Sequence, residues 1–338
     1  MSIGAVISGC KGTSLTSQEV SFFERTNPWG LILFARNIES PDQVSSLTQA
    51  FREVVGRSNA PVLIDQEGGR VQRMTAPHWR KFPAANKFSV LYDSDPVKAL
   101  KYVRLISHLL AKDLYDVGIN VDCLPVLDVP QPGSHEIIGD RAYGVTPERV
   151  SVIARAAVTG LTEGGVLGII KHIPGHGRAM SDSHLALPIV DTPLEELIHG
   201  DFLPFAALAD IPMAMTAHVV YTAIDDKQPA TMSNIVISSL IRDSFGYDGL
   251  LMTDDLSMHA LSGTFEQRAA NAIAAGCDIA LHCNGDQAEG EAVAEGAGAL
   301  SGKSLARAEY ALSKCCNPRT FDVEAAEAAL AEMMGETA

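Results

Sequence analysis

Short apolar runs recur along the chain and alternate with longer amphipathic stretches. The runs Ala5–Ser8, Leu31–Phe34, Val62–Asp65, Ile119–Asp122, Leu167–Ile170, Met213–Ala217, Leu250–Thr253 and Ile279–His282 read as eight β-strands. Most are continuously apolar instead of alternating, the signature of parallel strands covered by helices. Helix-start chemistry lies between them: Ser40-Pro41 with Gln43 three residues after the serine, Asp95-Pro96, Thr146-Pro147, and Ser233 ahead of an apolar-periodic run to Phe245. Gly118, Gly164 and Gly276 follow three of the helical stretches, where a left-handed cap is expected. Eight β/α repeats point to an α/β fold, a (β/α)8 TIM barrel. A doubly wound open sheet also fits alternating elements. The barrel rests on the count of eight and on where the polar residues fall.

They fall at strand ends. Asp65 closes the third strand, Lys171-His172 follow the fifth, His218 follows the sixth, and Asp254-Asp255 follow the seventh. Catalytic groups of TIM barrels sit at the C-terminal ends of several strands. A capping or turn role could explain any one of these residues alone. No Pro/Gly/Ser-rich linker or low-complexity tract divides the chain, so one catalytic domain over 1–338 is expected, with the barrel over about 1–300 and extra C-terminal helices over about 301–338.

Composition narrows the function. The chain has 338 residues, 46% of them hydrophobic, and 26 basic against 41 acidic residues give a net charge of −15. It has enough apolar residues for a sizeable core. An acidic chain with no basic cluster has no electrostatic footprint for nucleic acid. The longest apolar runs are far shorter than the roughly 18–20 residues of a membrane span. The start, Met1-Ser2-Ile3-Gly4-Ala5-Val6-Ile7, has no basic residue before its apolar stretch and does not read as a secretory signal; Ile7-Ser8-Gly9-Cys10 resembles a lipoprotein box only formally. A cytoplasmic protein is expected. Cys10, Cys123, Cys277, Cys283, Cys315 and Cys316 form no CxxC pair, which fits reduced, mostly buried thiols.

The densest chemistry lies in Lys171-His172-Ile173-Pro174-Gly175-His176-Gly177-Arg178-Ala179-Met180-Ser181-Asp182-Ser183-His184. Asp182 and His184 are two apart, so in an extended segment both side chains project to one side and the carboxylate can steady the imidazolium. Such a pair is a general acid/base device. A metal site built from His172, His176, Asp182 and His184 is a competing reading, although the spacing matches no common ligand pattern. A phosphate cradle or a plain surface loop also competes; GxxxxGK[ST] is absent.

Three further stretches carry polar groups. Asp65-Gln66-Glu67-Gly68-Gly69-Arg70-Val71-Gln72-Arg73 offers donors and acceptors suited to a hydroxyl-rich ligand, or else a salt-bridged loop. Gly139-Asp140-Arg141-Ala142-Tyr143-Gly144 is similar and weaker. In Gly249–Met258, Asp254 and Asp255 fall on opposite faces of a strand, so only one is expected to face the barrel mouth.

Together these stretches resemble the bacterial β-N-acetylglucosaminidases of glycoside hydrolase family 3, over about Cys10 to His282. The resemblance implies that Asp254 is a nucleophile, that His184 supported by Asp182 is the acid/base, and that Asp65, Arg73, Arg141, Lys171 and His172 bind the sugar. Ala142-Tyr143 stand where Ser-Phe is commoner in the family. It also implies removal of terminal GlcNAc from peptidoglycan fragments in cell-wall recycling, with no cofactor, no metal and a small-molecule muropeptide as partner. A monomer is the simplest expectation. Retaining glycosidases usually use two carboxylates about 5–5.5 Å apart; here a histidine takes one place. Secreted β-glucosidases of the family add a second α/β domain bearing the acid/base group, for which this chain has no room. A non-catalytic muropeptide-binding barrel and a metal-dependent hydrolase are the alternatives.

Overall fold

A computed structural model describes residues 2–179 and 186–335. Its centre is a ring of parallel strands: β1 (Gly4–Gly9), β2 (Pro28–Leu33), β3 (Val62–Ile64), β4 (Val121–Asp122), β5 (Leu167–Gly168 continued by Ile170–Ile173), β6 (Met213–Thr216), β7 (Leu250–Asp255) and β8 (Ile279–His282). Each pairs in parallel with the next, and β1 pairs with β8 through Val6 and Ala280. The first part of β5 pairs with β4 and the second with β6. Between them the Ile169 N–H donates to the carbonyls of Asp122 and Leu124 at 3.0 and 2.9 Å, so the ring closes. A Cβ on Gly168 would lie 2.7 Å from the Leu124 carbonyl oxygen; glycine permits this close approach of β5 to the β4 segment. The doubly wound sheet is excluded.

Continuous apolarity has its cause in this closure. Ile32, Leu63, Val121, Leu167, Ile169, Met213, Met215 and Met252 pack with one another, while the alternate positions Leu31, Leu33, Val62, Ile64, Ala214 and Leu251 pack with the helices. Both faces of each strand are dry. The expected helices start as read. Ser40, Asp95 and Thr146 accept hydrogen bonds from the N–H groups of Gln43, Lys98 and Arg149, each ahead of a first-turn proline. Ser233 accepts from Val236 N–H at 3.2 Å before a helix over Ile235–Ser244, which winds with π-type geometry.

Several boundaries differ from expectation. β5 runs on to Ile173, so Lys171 and His172 lie inside a strand, and β7 runs on to Asp255. Gly276 takes the left-handed cap, but at Gly164 φ is −81° and its neighbour Gly165 turns left-handed instead; Gly118 is left-handed three residues beyond Tyr115. Two small sheets were not anticipated: an antiparallel hairpin of Gln66–Gly68 with Val71–Gln72, and Ile189–Val190 paired with Val220–Tyr221. Beyond the barrel, Gln287–Ala297 is followed by outer-wall helices Gly302–Ser313 and Val323–Met334. The last is tied to Pro96–Tyr115 through Glu332, which accepts from Lys98 Nζ at 2.5 Å and Tyr102 Oη at 2.7 Å. All six cysteines are free thiols; Cys316 is exposed and Cys315 half-buried. Among the described residues no helix is long and apolar enough to cross a membrane.

Candidate active site

The C-terminal strand ends enclose a cavity of about 200 Å³. Asp65 enters it from the residue after β3, Glu67 and Arg73 from the hairpin beyond, Arg141 from the loop after β4, Lys171 and His172 from β5, and Asp254 from β7. A larger groove of about 830 Å³ lies on the outer wall between the Pro96–Tyr115 and Pro147–Glu163 helices. Its charges are already spent: Arg104 pairs with Glu163 and Arg155 with Asp210. The smaller cavity holds the chemistry.

Lys171 is 2% exposed, and its ammonium contacts Asp65 Oδ1 at 2.8 Å and Glu67 Oε1 at 2.7 Å. Arg141 grips Glu67 with two parallel hydrogen bonds, Nε to Oε2 at 2.8 Å and Nη2 to Oε1 at 2.9 Å. Arg73 reaches Asp65 Oδ2 at 3.3 Å and lies over the Phe34 ring. Three cations thus surround two carboxylates. Burial pushes both carboxyls up, but the charges of Lys171 with Arg73, and of Lys171 with Arg141, outweigh it: Asp65 falls well below its usual range and Glu67 to about 2. Burial alone would lower Lys171, yet Asp65 and Glu67 drive it upward, so it stays an ammonium. The result is a dry, fully charged cluster whose geometry is held by its own pairing.

Asp254 is 8% exposed, and among the described residues its carboxylate accepts one hydrogen bond, from the Asp255 N–H at 2.8 Å. Burial raises this carboxyl, but the charge on His172, with smaller contributions from His218, the Asp255 N–H and Lys171, holds it below the ordinary value. An ionised, lightly solvated carboxylate in a cavity is a nucleophile or an electrostatic stabiliser. Asp255 is occupied otherwise: Oδ1 accepts the N–H groups of Ser257 and Cys283, and Oδ2 accepts Ser257 Oγ–H at 2.5 Å. It closes the turn after β7, while Asp254 is the aspartate with a free oxygen toward the cavity.

His172 lines the cavity, and its Nδ1 lies 2.7 Å from Asp128 Oδ2. His176 is 3% exposed, and burial, then the charge on His172, lowers it to about 4. His218 is fully buried between Thr231 Oγ1 at 2.7 Å and the Asp255 carbonyl at 3.0 Å, and burial lowers it too.

The structure therefore brings together Asp65, Arg73, Arg141, Lys171, His172 and Asp254 around one cavity. Asp182 and His184 lie outside the described residues. Glu67, Asp128, His176 and His218 received no role from the sequence. Asp128 did leave a signal there, as a lone acid inside the apolar segment Leu124–Val129. Among the described residues no group of three or more His, Cys, Asp or Glu is arranged to hold a metal ion.

A closed parallel barrel with a buried, ionised carboxylate and a charged hydroxyl-binding cluster at its strand ends defines the barrel hydrolases. Residues 14–309 match the model of the glycosyl hydrolase family 3 N-terminal domain. A β-hexosaminidase from Alkalilimnicola ehrlichii is 39% identical over 292 residues, covering 85% of this chain and 83% of that protein. Native NagZ from Neisseria gonorrhoeae superposes with a TM-score of 0.87 at 31% identity, covering 98% of both chains. The same protein in complex with N-trifluoroacetyl-D-glucosamine gives 0.88 at 31% identity, again over 98% of both. The chain belongs to glycoside hydrolase family 3, among its β-hexosaminidases.

Proposed function

We propose that this protein is a retaining exo-β-N-acetylglucosaminidase that removes the non-reducing terminal GlcNAc from peptidoglycan-derived fragments, GlcNAc-anhydroMurNAc with or without peptide. The observation that carries the reading is the Asp254 carboxylate, held ionised in a cavity bordered by the Lys171–Asp65–Glu67–Arg141 cluster. Asp254 attacks the anomeric carbon and forms a glycosyl ester, while His184, steadied by Asp182, gives its proton to the departing oxygen. Water then surrenders a proton to the same histidine and attacks the ester carbon, releasing the sugar with its β configuration and restoring Asp254. Asp65, Arg73, Arg141, Lys171 and His172 hold the sugar hydroxyls through charge-assisted hydrogen bonds, and Glu67 keeps Arg141 and Lys171 in place. The chain acts as one catalytic unit, a cytoplasmic monomer, in cell-wall recycling.

The test compares aryl N-acetyl-β-glucosaminide with aryl β-glucoside, following product anomers by NMR. Turnover of the first with β product supports the reading; sugar binding without turnover favours a non-catalytic barrel. A fluorosugar inactivator should leave an ester on the Asp254 peptide in a mass spectrum, and no adduct under turnover conditions rejects the nucleophile. His184→Ala should lose far more activity on a poor leaving group than on an activated aryl glycoside; equal loss on both rejects the acid role.

A further inference from the structure

Asp128 follows β4 between the buried residues Leu127 and Val129 and is itself fully buried. Its carboxylate is shared by two parts of one chain segment. Oδ1 accepts the His172 N–H at 3.2 Å and the His176 N–H at 2.6 Å, and Oδ2 lies 2.7 Å from His172 Nδ1. An ionised carboxylate only accepts, so the ring nitrogen facing it carries the proton. That leaves His172 Nε2 toward the cavity, and among the described residues no hydrogen bond reaches it. Burial pushes the Asp128 carboxyl up, but His172 and then His176 outweigh it and hold it below the usual range. The other charged or titratable groups around His172 are Asp254 from β7, His218 after β6, Lys171 beside it, and the His176 ring 5.7 Å away.

We propose that Asp128 is a positioning residue of this site: it holds His172 in the Nδ1–H form, so that Nε2 offers a lone pair to a substrate hydroxyl, and it ties that ring to the chain at His176. The role in turnover rests on the glycosidase reading; the ring form does not. The shared carboxylate makes the two histidines one unit. His176 stands eight residues before His184, so the segment bearing the acid/base candidate leaves the barrel from a point fixed by the same atom that fixes the sugar-binding ring.

Asp128→Asn keeps the shape and reverses the ring. Two backbone N–H groups still require the side-chain oxygen, so the amide NH2 turns toward Nδ1; the ring proton moves to Nε2, and a donor replaces the acceptor. On p-nitrophenyl N-acetyl-β-glucosaminide, kcat/KM should fall roughly 10- to 100-fold, the scale of losing a partner that fixes a ring tautomer. In a His172→Ala background the same change should cost less than about threefold, because its effect passes through that ring. Independently, a 15N–1H correlation spectrum of the wild-type histidine rings at pH 8, with His172 assigned by its loss in His172→Ala, should show the neutral Nδ1–H form. An Nε2–H form or an imidazolium there, an Asp128→Asn activity within threefold of wild type, or losses that multiply in the double variant would overturn the inference. If Asp128→Asn does not fold, the wild-type spectrum decides. If the wild type hydrolyses no N-acetylglucosaminide, the glycosidase reading fails, and the spectrum still tests the Asp128–His172 assignment.

Discussion

Replacing Glu67 with Gln tests the charged cluster most directly. The substitution keeps the shape but removes the negative charge that Lys171 and Arg141 share. A carboxyl held at about 2 instead of 4.5 contributes, at roughly 1.4 kcal/mol per pH unit, about 3 kcal/mol of folding free energy at neutral pH. That lies at the lower edge of the roughly 3–5 kcal/mol lost when one partner of a buried ion pair is removed. Because the folded-state value is depressed, the contribution is complete above pH 4.5 and disappears as the pH falls toward 2. Urea unfolding of wild type and Glu67→Gln at pH 6 and 3.5 reads both parts. The wild type should be about 3 kcal/mol the more stable at pH 6, and the gap should be about 1.4 kcal/mol smaller at pH 3.5. A gap under about 1 kcal/mol at pH 6, or one that does not change with pH, would refute the account of a cluster held by its own charges. KM should rise in the variant at both pH values, since Arg141 loses its bidentate partner.

Other consequences can be measured alongside. His176 is held at about 4 against an ordinary 6.5, so the neutral ring contributes stability that is complete above pH 6.5 and falls by about 3 kcal/mol toward pH 4; His176→Gln should flatten that part of the stability–pH curve. Gly177→Ala would place a Cβ 2.0 Å from the Val129 carbonyl oxygen, a backbone atom that cannot move aside, and should cost about 3 kcal/mol or more by thermal or urea unfolding. Asp254→Asn should lower kcat by roughly 10³-fold or more while leaving binding of N-acetylglucosamine measurable by calorimetry. Activity should survive EDTA treatment and dialysis; loss restored by a divalent metal would instead support the metal-dependent reading.

The elements were legible where local chemistry decides them. Ser40, Asp95 and Thr146 cap their helices because a side-chain acceptor and a following proline act within one turn. Strand ends were less legible. Lys171 and His172 read as loop because they are polar, yet they continue β5, since closure of the ring gives a lysine carboxylate partners at the barrel mouth. Gly164 was expected to turn left-handed, but the choice between it and Gly165 depends on how the following strand enters the barrel.

The candidate site divides along the same line. Residue types and spacing within one segment, from Lys171 through His184 and from Asp65 through Arg73, marked the chemistry, because a strand end and its loop are local in the chain. Asp254 was separated from Asp255 only by packing: the turn after β7 consumes both oxygens of Asp255 and leaves Asp254 toward the cavity. Glu67, Asp128 and His218 gained their places from partners 104, 44 and 13 residues away, pairings that exist only once the ring has closed. By itself the sequence determined the eight repeats, the helix caps and the stretches rich in reactive groups. The tertiary structure decided which of those groups are stripped of water and which charges face them, and those two conditions set the ionisation of Asp254, Glu67 and Lys171.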